Sequence, residues 1–229
     1  MSALWVMVLV LLTAGSVGEG WAEEVNGTKP LLAITRQNLA DSLPSDYHIL
    51  SEPAPIEQWL DALDGAPPDW KLVYGQGHHD PGHDERLFVL NRERDARREG
   101  KAALQWPVVF FWSGELSRYD STMEGFRIAM GPILTPTRWG VVRFKAEDLP
   151  GNLVAVPDAA QRDRLRKQVE AGQKIDIDIA MIGRLIPEES LVYDFSHEEE
   201  GVGLIMPVVR IERIEYLLAR SGRSRAEGE

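Results

Sequence analysis

The spacing of apolar residues changes near Trp106. Upstream of that residue, apolar side chains recur every three or four positions, which is the spacing of one helix face. The strongest example comprises Ile56, Trp59, Leu60 and Leu63. This spacing predicts helices over residues 35–43, 55–64 and 84–99, with a short strand over residues 71–74. Six of the 14 prolines lie between Pro30 and Pro68, so we expect residues 23–105 to form a smaller helical and irregular N-terminal region.

Downstream of Trp106, apolar and polar residues alternate, which is typical of strands with one buried face. The plainest alternation joins Ile175, Ile177, Ile179 and Met181. Further strands are predicted over residues 108–117, 126–130, 140–144 with a continuation at 152–156, and 191–195. The last apolar segment, residues 202–216, fits a strand, although Val208, Ile211 and Leu218 would also suit a helix face. Gly114 interrupts the first of these strands at a position where we expect a bulge or a sharp coil.

One helix in the second half of the chain has clear signals at both ends. Asp158 stands where an N-cap residue belongs, and Gln161 follows at the spacing of a capping box. Leu165 and Val169 form its buried stripe. Gly172 follows the last turn, where a left-handed residue is favoured. The pattern therefore predicts a helix over residues 158–171.

This order of elements, with three strands, one helix and then further strands, resembles that of OB-fold barrels. The resemblance covers residues 106–218. Gly114 matches the glycine at which the first OB strand coils, and the helix from Asp158 followed by the isoleucine strand resembles those of exported bacterial OB-type domains. The resemblance implies an α+β, mainly antiparallel fold: an OB-like barrel with one capping helix, preceded by the N-terminal region.

The first 22 residues have the pattern of a removable export signal. An apolar run of about 14 residues is too short to span a membrane, which takes roughly 20. Gly20 and Ala22 place small residues at the -3 and -1 positions of a cleavage site after Ala22. We therefore expect a periplasmic protein with no membrane insertion after cleavage. No Lys or Arg precedes the apolar run, and this leaves open an uncleaved signal that tethers the protein to the inner membrane.

Amino-acid composition excludes several kinds of site and partner. The 229 residues include no Cys, which excludes disulfides, thiolate metal sites and a Cys nucleophile, and fits a bacterial periplasm. The formal net charge is -11, and loss of Glu19 with the signal would leave -10. Such an acidic surface repels phosphate backbones, so we expect no nucleic-acid partner. The tail over residues 219–229 is polar and is expected to be disordered.

Two polar clusters are candidates for chemistry. His78, His79 and His83 lie among carboxylates in an eight-residue stretch and could bind a transition metal as a loop chelate, or else form an exposed polar loop before the helix at 84–99. Residues 194–200 carry a His among acids and could serve as an acid–base pair, although a solvated turn is the plainer interpretation. No nucleophile elbow or phosphate loop accompanies them, and no catalytic residue is assigned.

Aromatic residues crowd the first three predicted strands, which form the ligand face of OB barrels. Alternation places most of them in the core. Phe111 and Trp139 remain as candidates for a ligand face, against the alternative that both pack on the N-terminal region. The sequence thus favours a non-enzymatic binding or assembly module of the cell envelope, with a protein or another envelope component as partner. The alternative is a metal-binding protein or metal-dependent hydrolase that uses the cluster from His78 to Glu85.

Overall fold

The computed structural model describes residues 26–76, 80–196 and 201–218. The α-helices in this part of the chain are α1 (Arg36–Ser42), α2 (Pro53–Asp64), α3 (Trp70–Tyr74), α4 (His83–Arg98) and α5 (Ala159–Glu170). The strands are β1 (Thr28–Leu32), β2 (His48–Ile49), β3 (Val108–Asp120), β4 (Gly125–Pro132), β5 (Thr135–Thr137), β6 (Gly140–Val142), β7 (Lys145–Glu147), β8 (Val154–Val156), β9 (Asp176–Leu185), β10 (Leu191–Phe195) and β11 (Gly203–Leu218). The expected signal (1–22) and tail (219–229) lie outside the described residues.

The fold is α+β and is built on a closed β-barrel of six strands. Neighbours around the barrel are β1, β8, β4, β3, β9 and β11, and β11 pairs again with β1. The four pairings β8–β4, β4–β3, β3–β9 and β9–β11 are antiparallel. Helix α5 lies between β8 and β9, which are the third and fourth barrel strands downstream of Trp106. This confirms the predicted OB-like barrel with one helix. No helix in the described ranges combines the length and apolar character needed to cross a membrane.

Helices α1 and α5 have capped N-termini, and the cap predicted at Asp158 is confirmed. The Asp158 side chain accepts a hydrogen bond from the Gln161 backbone N–H at 2.8 Å and a second bond from the Gln161 side chain at 2.9 Å. Leu165 lies on the buried face of α5, as the apolar spacing of Leu165 and Val169 predicted. At α1, Thr35 and Asn38 form a reciprocal capping box. Satisfied N-termini of this kind fix where each helix begins.

Strand β1 completes the barrel from within the region expected to be helical and irregular. It lies between β8 and β11 and runs parallel to both. The local pattern contains no sign of it, because Pro30 stands in the middle of the strand and proline is normally excluded from interior strands. Its pairing is decided by contacts with residues more than 120 positions away, which local periodicity does not report.

Two predictions of strand position were wrong. Residues 71–74 belong to helix α3, where the Asp69 side chain caps the Leu72 N–H at 3.1 Å; Trp70, Val73 and Tyr74 follow the helical spacing. Residues 140–142 do not form the third barrel strand, since β6 pairs with β5 and β11 outside the barrel and the third strand is β8. The last segment is a strand, β11, so its helical alternative is excluded.

Strand β9 is buried on both faces. Ile177, Ile179 and Met181 point into the barrel core, as alternation predicted. Ala180 and Ile182 point to the opposite face, yet they are also buried, in a second apolar cluster with Leu39 of α1. The N-terminal region therefore covers the outer surface of the barrel here.

The bulge or sharp coil predicted at Gly114 is absent, and the glycine instead permits close packing. The register shift between β3 and β4 lies between Leu116 and Tyr119, and Gly114 itself pairs regularly with Met130 and with Ile177. A Cβ atom at Gly114 would lie 2.7 Å from Ile179 Cδ1 inside the barrel. The missing side chain thus leaves room for the isoleucines of β9.

Gly114→Val should therefore lower the free energy of unfolding by about 1–3 kcal/mol, because the added methyl groups overpack the barrel interior. Gly131→Val is the matched control, since a Cβ there meets nothing within 4 Å. Urea denaturation of both variants measures the difference. Equal stability of the two variants would contradict the packing described for β3 and β9.

Candidate functional site

The outer face of the first barrel strands is covered by the N-terminal region. Phe111 is 5% exposed and packs in the second apolar cluster with Leu39. The guanidinium carbon of Arg36 lies 4.7 Å from the Phe111 ring centroid, and Arg36 also forms an ion pair with Asp178 of β9. Helix α1 therefore closes over the surface on which Phe111 could have stacked against a ligand.

A small cleft remains beside this contact. Its volume is about 30 Å³, far below the roughly 300–1,000 Å³ of pockets that hold small-molecule ligands. The lining residues are Arg36, Leu50, Ser51, Phe111, Trp112, Ile133, Thr135 and Phe144. A cleft of this size has no room for a sugar or a nucleobase in the arrangement described.

The second candidate for a ligand face, Trp139, is fully buried. Its carbonyl oxygen accepts a hydrogen bond from the Trp70 indole N–H at 2.6 Å. The guanidinium carbon of Arg94 lies over the Trp139 ring, 5.7 Å from the ring centroid. Both aromatic candidates thus pack against N-terminal residues, which is the alternative that burial tendencies favoured.

A buried polar cluster, which sequence reasoning missed, joins α2, α4 and β10. It comprises Asp64, Arg94, Arg98 and Tyr193, which we call the Asp64 cluster. The Tyr193 hydroxyl donates to Asp64 Oδ2, and Arg98 Nη1 lies 3.5 Å from the same oxygen. Burial, together with the Asp64 charge, raises the pKa of Tyr193 and keeps its hydroxyl neutral.

Backbone carbonyls complete the Asp64 cluster. Arg94 Nη1 donates to the carbonyls of Asp64 at 3.1 Å and Ala66 at 2.7 Å, and so closes the C-terminal end of α2. Arg98 also pairs with Asp95 one turn earlier. Since the side chains of Arg98 and Asp64 are 1% and 0% exposed, the cluster offers no surface to a substrate. It ties three elements together.

The sequence did carry a signal for this cluster. Residues 87, 90, 91, 94 and 98 recur at helical spacing on one face of α4. The first two are leucines, so Arg94 and Arg98 continue an apolar stripe. Because charged residues alternate along α4, the sequence alone predicts that both arginines face solvent. Only the tertiary structure shows their buried partners.

Helix α4 also covers the open edge of β10. Strand β10 pairs with β11 on one side. On the other side, the Asn91 side chain donates to the Tyr193 carbonyl and accepts from the Tyr193 N–H, both at 2.8 Å. Arg98 donates to the Leu191 carbonyl at 3.3 Å. These side chains bind backbone groups on the outer edge of β10, which could otherwise pair with a strand of another chain.

Asp80 and Arg86 connect the end of α3 to the start of α4. The Asp80 carboxylate accepts from the backbone N–H groups of Gln76 at 3.1 Å and Gly82 at 2.9 Å, and from Arg86 at 2.8 Å. Arg86 in turn donates to the Val73 carbonyl at 2.9 Å. The Arg86 hydrogen bond is the main cause that lowers the pKa of Asp80 from 3.8 to about 2, and the two backbone N–H groups add to it.

Of the three histidines in the predicted metal cluster, His78 and His79 lie outside the described residues. His83 Nδ1 lies 2.7 Å from the Asp80 carbonyl, and its Nε2 lies 3.1 Å from Asp84 Oδ1. Within the described ranges, no group of three or more potential ligands could hold a metal ion. Metal binding by this loop therefore stays a prediction. Residues 197–200 of the second polar cluster are also outside the described part.

Large apolar side chains are exposed on the packed helices α3 and α4. Leu72 of α3 is 71% exposed, and Phe88 of α4 is 66% exposed, with Val89 beside it. Helix α3 is only five residues long, and Val73 and Tyr74 are its buried side chains. Phe88 and Val89 lie outside the buried stripe of α4. Leu72 and Phe88 are the most exposed large apolar side chains in the described part of the chain.

Comparisons with protein-family models, curated proteins and solved structures found no match to this chain. The functional argument therefore depends on the sequence and the geometry of this chain.

Removing one charged partner from the Asp64 cluster should destabilise the protein. Arg98→Met would leave the Asp64 carboxylate buried without its cation, and we expect a loss of about 3–5 kcal/mol in the free energy of unfolding. Adding Asp64→Asn should recover part of that loss, because the uncompensated charge is then gone. Arg97→Met, on the exposed side of the same helix, should change stability by less than about 0.5 kcal/mol. A loss below about 1 kcal/mol for Arg98→Met, by urea denaturation, would contradict the role of the cluster.

The Asp80 contact should respond to acid. Because the folded-state pKa is depressed, its stabilising contribution is fully present above pH 3.8 and is lost as the pH falls through about 2. We expect the amide resonances of Gln76 and Gly82 to titrate with a midpoint near pH 2 in NMR spectra. Asp80→Asn should abolish this titration, whereas Asp84→Asn should retain it. A midpoint near pH 4 would show that the Arg86 contact does not form.

Proposed function

We propose that this protein is an exported, non-enzymatic assembly module of the cell envelope that binds another protein. The case for export is the signal-like segment before Glu23, together with the absence of Cys from the sequence. The acidic charge argues against nucleic acid and anionic lipid as partners.

One observation carries the choice of a protein partner. The face on which OB barrels bind sugars or nucleotides is occupied by the chain's own α1, with Arg36 over Phe111 and Leu39 in the cluster beneath. A groove filled by the protein itself is not available to a flat ligand. The barrel then serves as a rigid core that carries surfaces on other elements.

The exposed side chains of α3 and α4 support this proposal. Leu72 and Phe88 would each bury a large apolar area against a partner, and aromatic anchors dominate the energetics of protein interfaces. Helix α4 is held to β10 through the Asp64 cluster, and α3 is held to the turn between β5 and β6 by the hydrogen bond from Trp70 to Trp139. The surface is thus fixed before binding, which lowers the entropic cost of association.

Export is tested by fractionation of cells that express the full chain. We expect the protein in the periplasmic fraction, with Glu23 as its first residue by mass spectrometry. Ala22→Arg should block processing and leave the larger form at the inner membrane, because a charged residue at the -1 position is not accepted. Wild-type protein found uncleaved at the membrane would support the tether instead. Protein found in the cytoplasm would contradict export.

The interaction surface is tested by chemical crosslinking in intact cells. The double variant Leu72→Ser, Phe88→Ser should lose a crosslinked envelope protein that the wild type captures. The control Met123→Ser, which changes an exposed apolar residue on the β3–β4 turn, should retain it. Identical crosslinked products from the wild type and the double variant would remove α3 and α4 as the contact surface.

A further inference from the structure

Strand β1 is the segment that closes the barrel, and each half of it pairs with a different neighbour. Thr28, Lys29 and Pro30 align with Val154–Val156 of β8. Leu31 and Leu32 align with Tyr216 and Leu217 of β11. No residue of β1 is therefore aligned with partners on both sides, and the link between β8 and β11 consists of five residue pairs.

Three features weaken the pairing of β1 with its neighbours in the barrel. Both of its pairings are parallel, and parallel pairing is slightly weaker for each residue. Pro30 has no N–H to donate to either neighbour. Of its five side chains only Leu31 is buried, whereas β9 buries residues on both faces.

The slot between β8 and β11 is nevertheless specific for this segment. The carbonyl oxygen of Gly27 accepts two hydrogen bonds, from the Tyr216 hydroxyl at 2.7 Å and from the Val154 N–H at 3.0 Å. A Cβ atom at Gly27 would lie 2.2 Å from the Asn152 carbonyl oxygen. The slot thus requires glycine at one end and, four positions later, takes Leu31 into the core.

We propose that β1 is an exchangeable barrel strand, and that the slot between β8 and β11 accepts the Gly27–Leu32 segment of a second copy of this chain. A second copy is the occupant that meets both requirements, because it carries the same glycine and leucine at the same spacing. The contacts are identical in the closed and exchanged forms, so the balance between them is set by chain concentration and by the hinge. The hinge is Ala33–Ile34, since Thr35 already caps α1. This inference is independent of the envelope role.

The absence of Cys from the chain permits a direct test. Thr28 and Val154 are aligned across β1 and β8, and both are close to Cys in volume. Full-length Thr28→Cys protein and full-length Val154→Cys protein are mixed, incubated over a range of concentrations and then oxidised. We expect a disulfide-linked dimer of one copy of each, with the 28–154 linkage identified by peptide mapping and a yield that rises with concentration.

Two controls complete the test. The double variant carrying both cysteines should crosslink within one chain at low concentration, which verifies the register of β1. A mixture of Thr28→Cys with Glu170→Cys, on the exposed end of α5, measures random collision. Failure of the double variant to crosslink, or a mixed 28–154 dimer no more abundant than the collision control, would overturn the proposal.

Tyr216→Phe provides an independent readout. It removes the hydroxyl donor to Gly27 and should raise the rate of dimer formation by about 2–10-fold, as expected for the loss of one hydrogen bond. Tyr119→Phe changes a tyrosine of β3 outside the slot and should leave the rate unchanged. Equal rates for both variants would show that β1 does not open at Gly27.

Discussion

The burial of β9 on both faces is the constraint on which the rest of the structure depends. Its inward residues Ile177 and Ile179 fill the barrel, while Ala180 and Ile182 pack beneath α1. A strand that is apolar on both sides must be covered on both sides. The N-terminal region is therefore part of the fold's core, and its position decides which surfaces remain for binding.

A second set of contacts fixes the remaining helices. The Asp64 cluster joins α2, α4 and β10 in the interior, and Asn91 completes the backbone hydrogen bonds of the β10 edge. Buried ion pairs contribute little net stability compared with apolar residues of equal size, but they strongly penalise arrangements that separate the partners. The cluster thus specifies where α4 lies, and with it the orientation of the exposed Phe88.

The predictable parts of this fold are those with local signals. The cap at Asp158 and the alternation of Ile177, Ile179 and Met181 could be read from the chain because each depends on residues a few positions apart. Strand β1 could not, since its partners Val154 and Tyr216 are distant in sequence. Similarly, a buried Arg98 looks like a surface residue until its partner Asp64 is known. For the ligand face, the sequence supplied Phe111 and Trp139, and only the tertiary packing shows them buried against the N-terminal region.

Closure of the barrel's outer face by α1 is the central claim, and the accessibility of residue 180 tests it most directly. Ala180→Cys places the chain's sole thiol beneath α1, and Val192→Cys provides an exposed thiol on β10 for comparison. The account predicts that a thiol reagent modifies residue 180 at least about 100-fold more slowly in native protein than in urea, because modification must await local opening. Native labelling of residue 180 as fast as that of residue 192 would contradict the covered face.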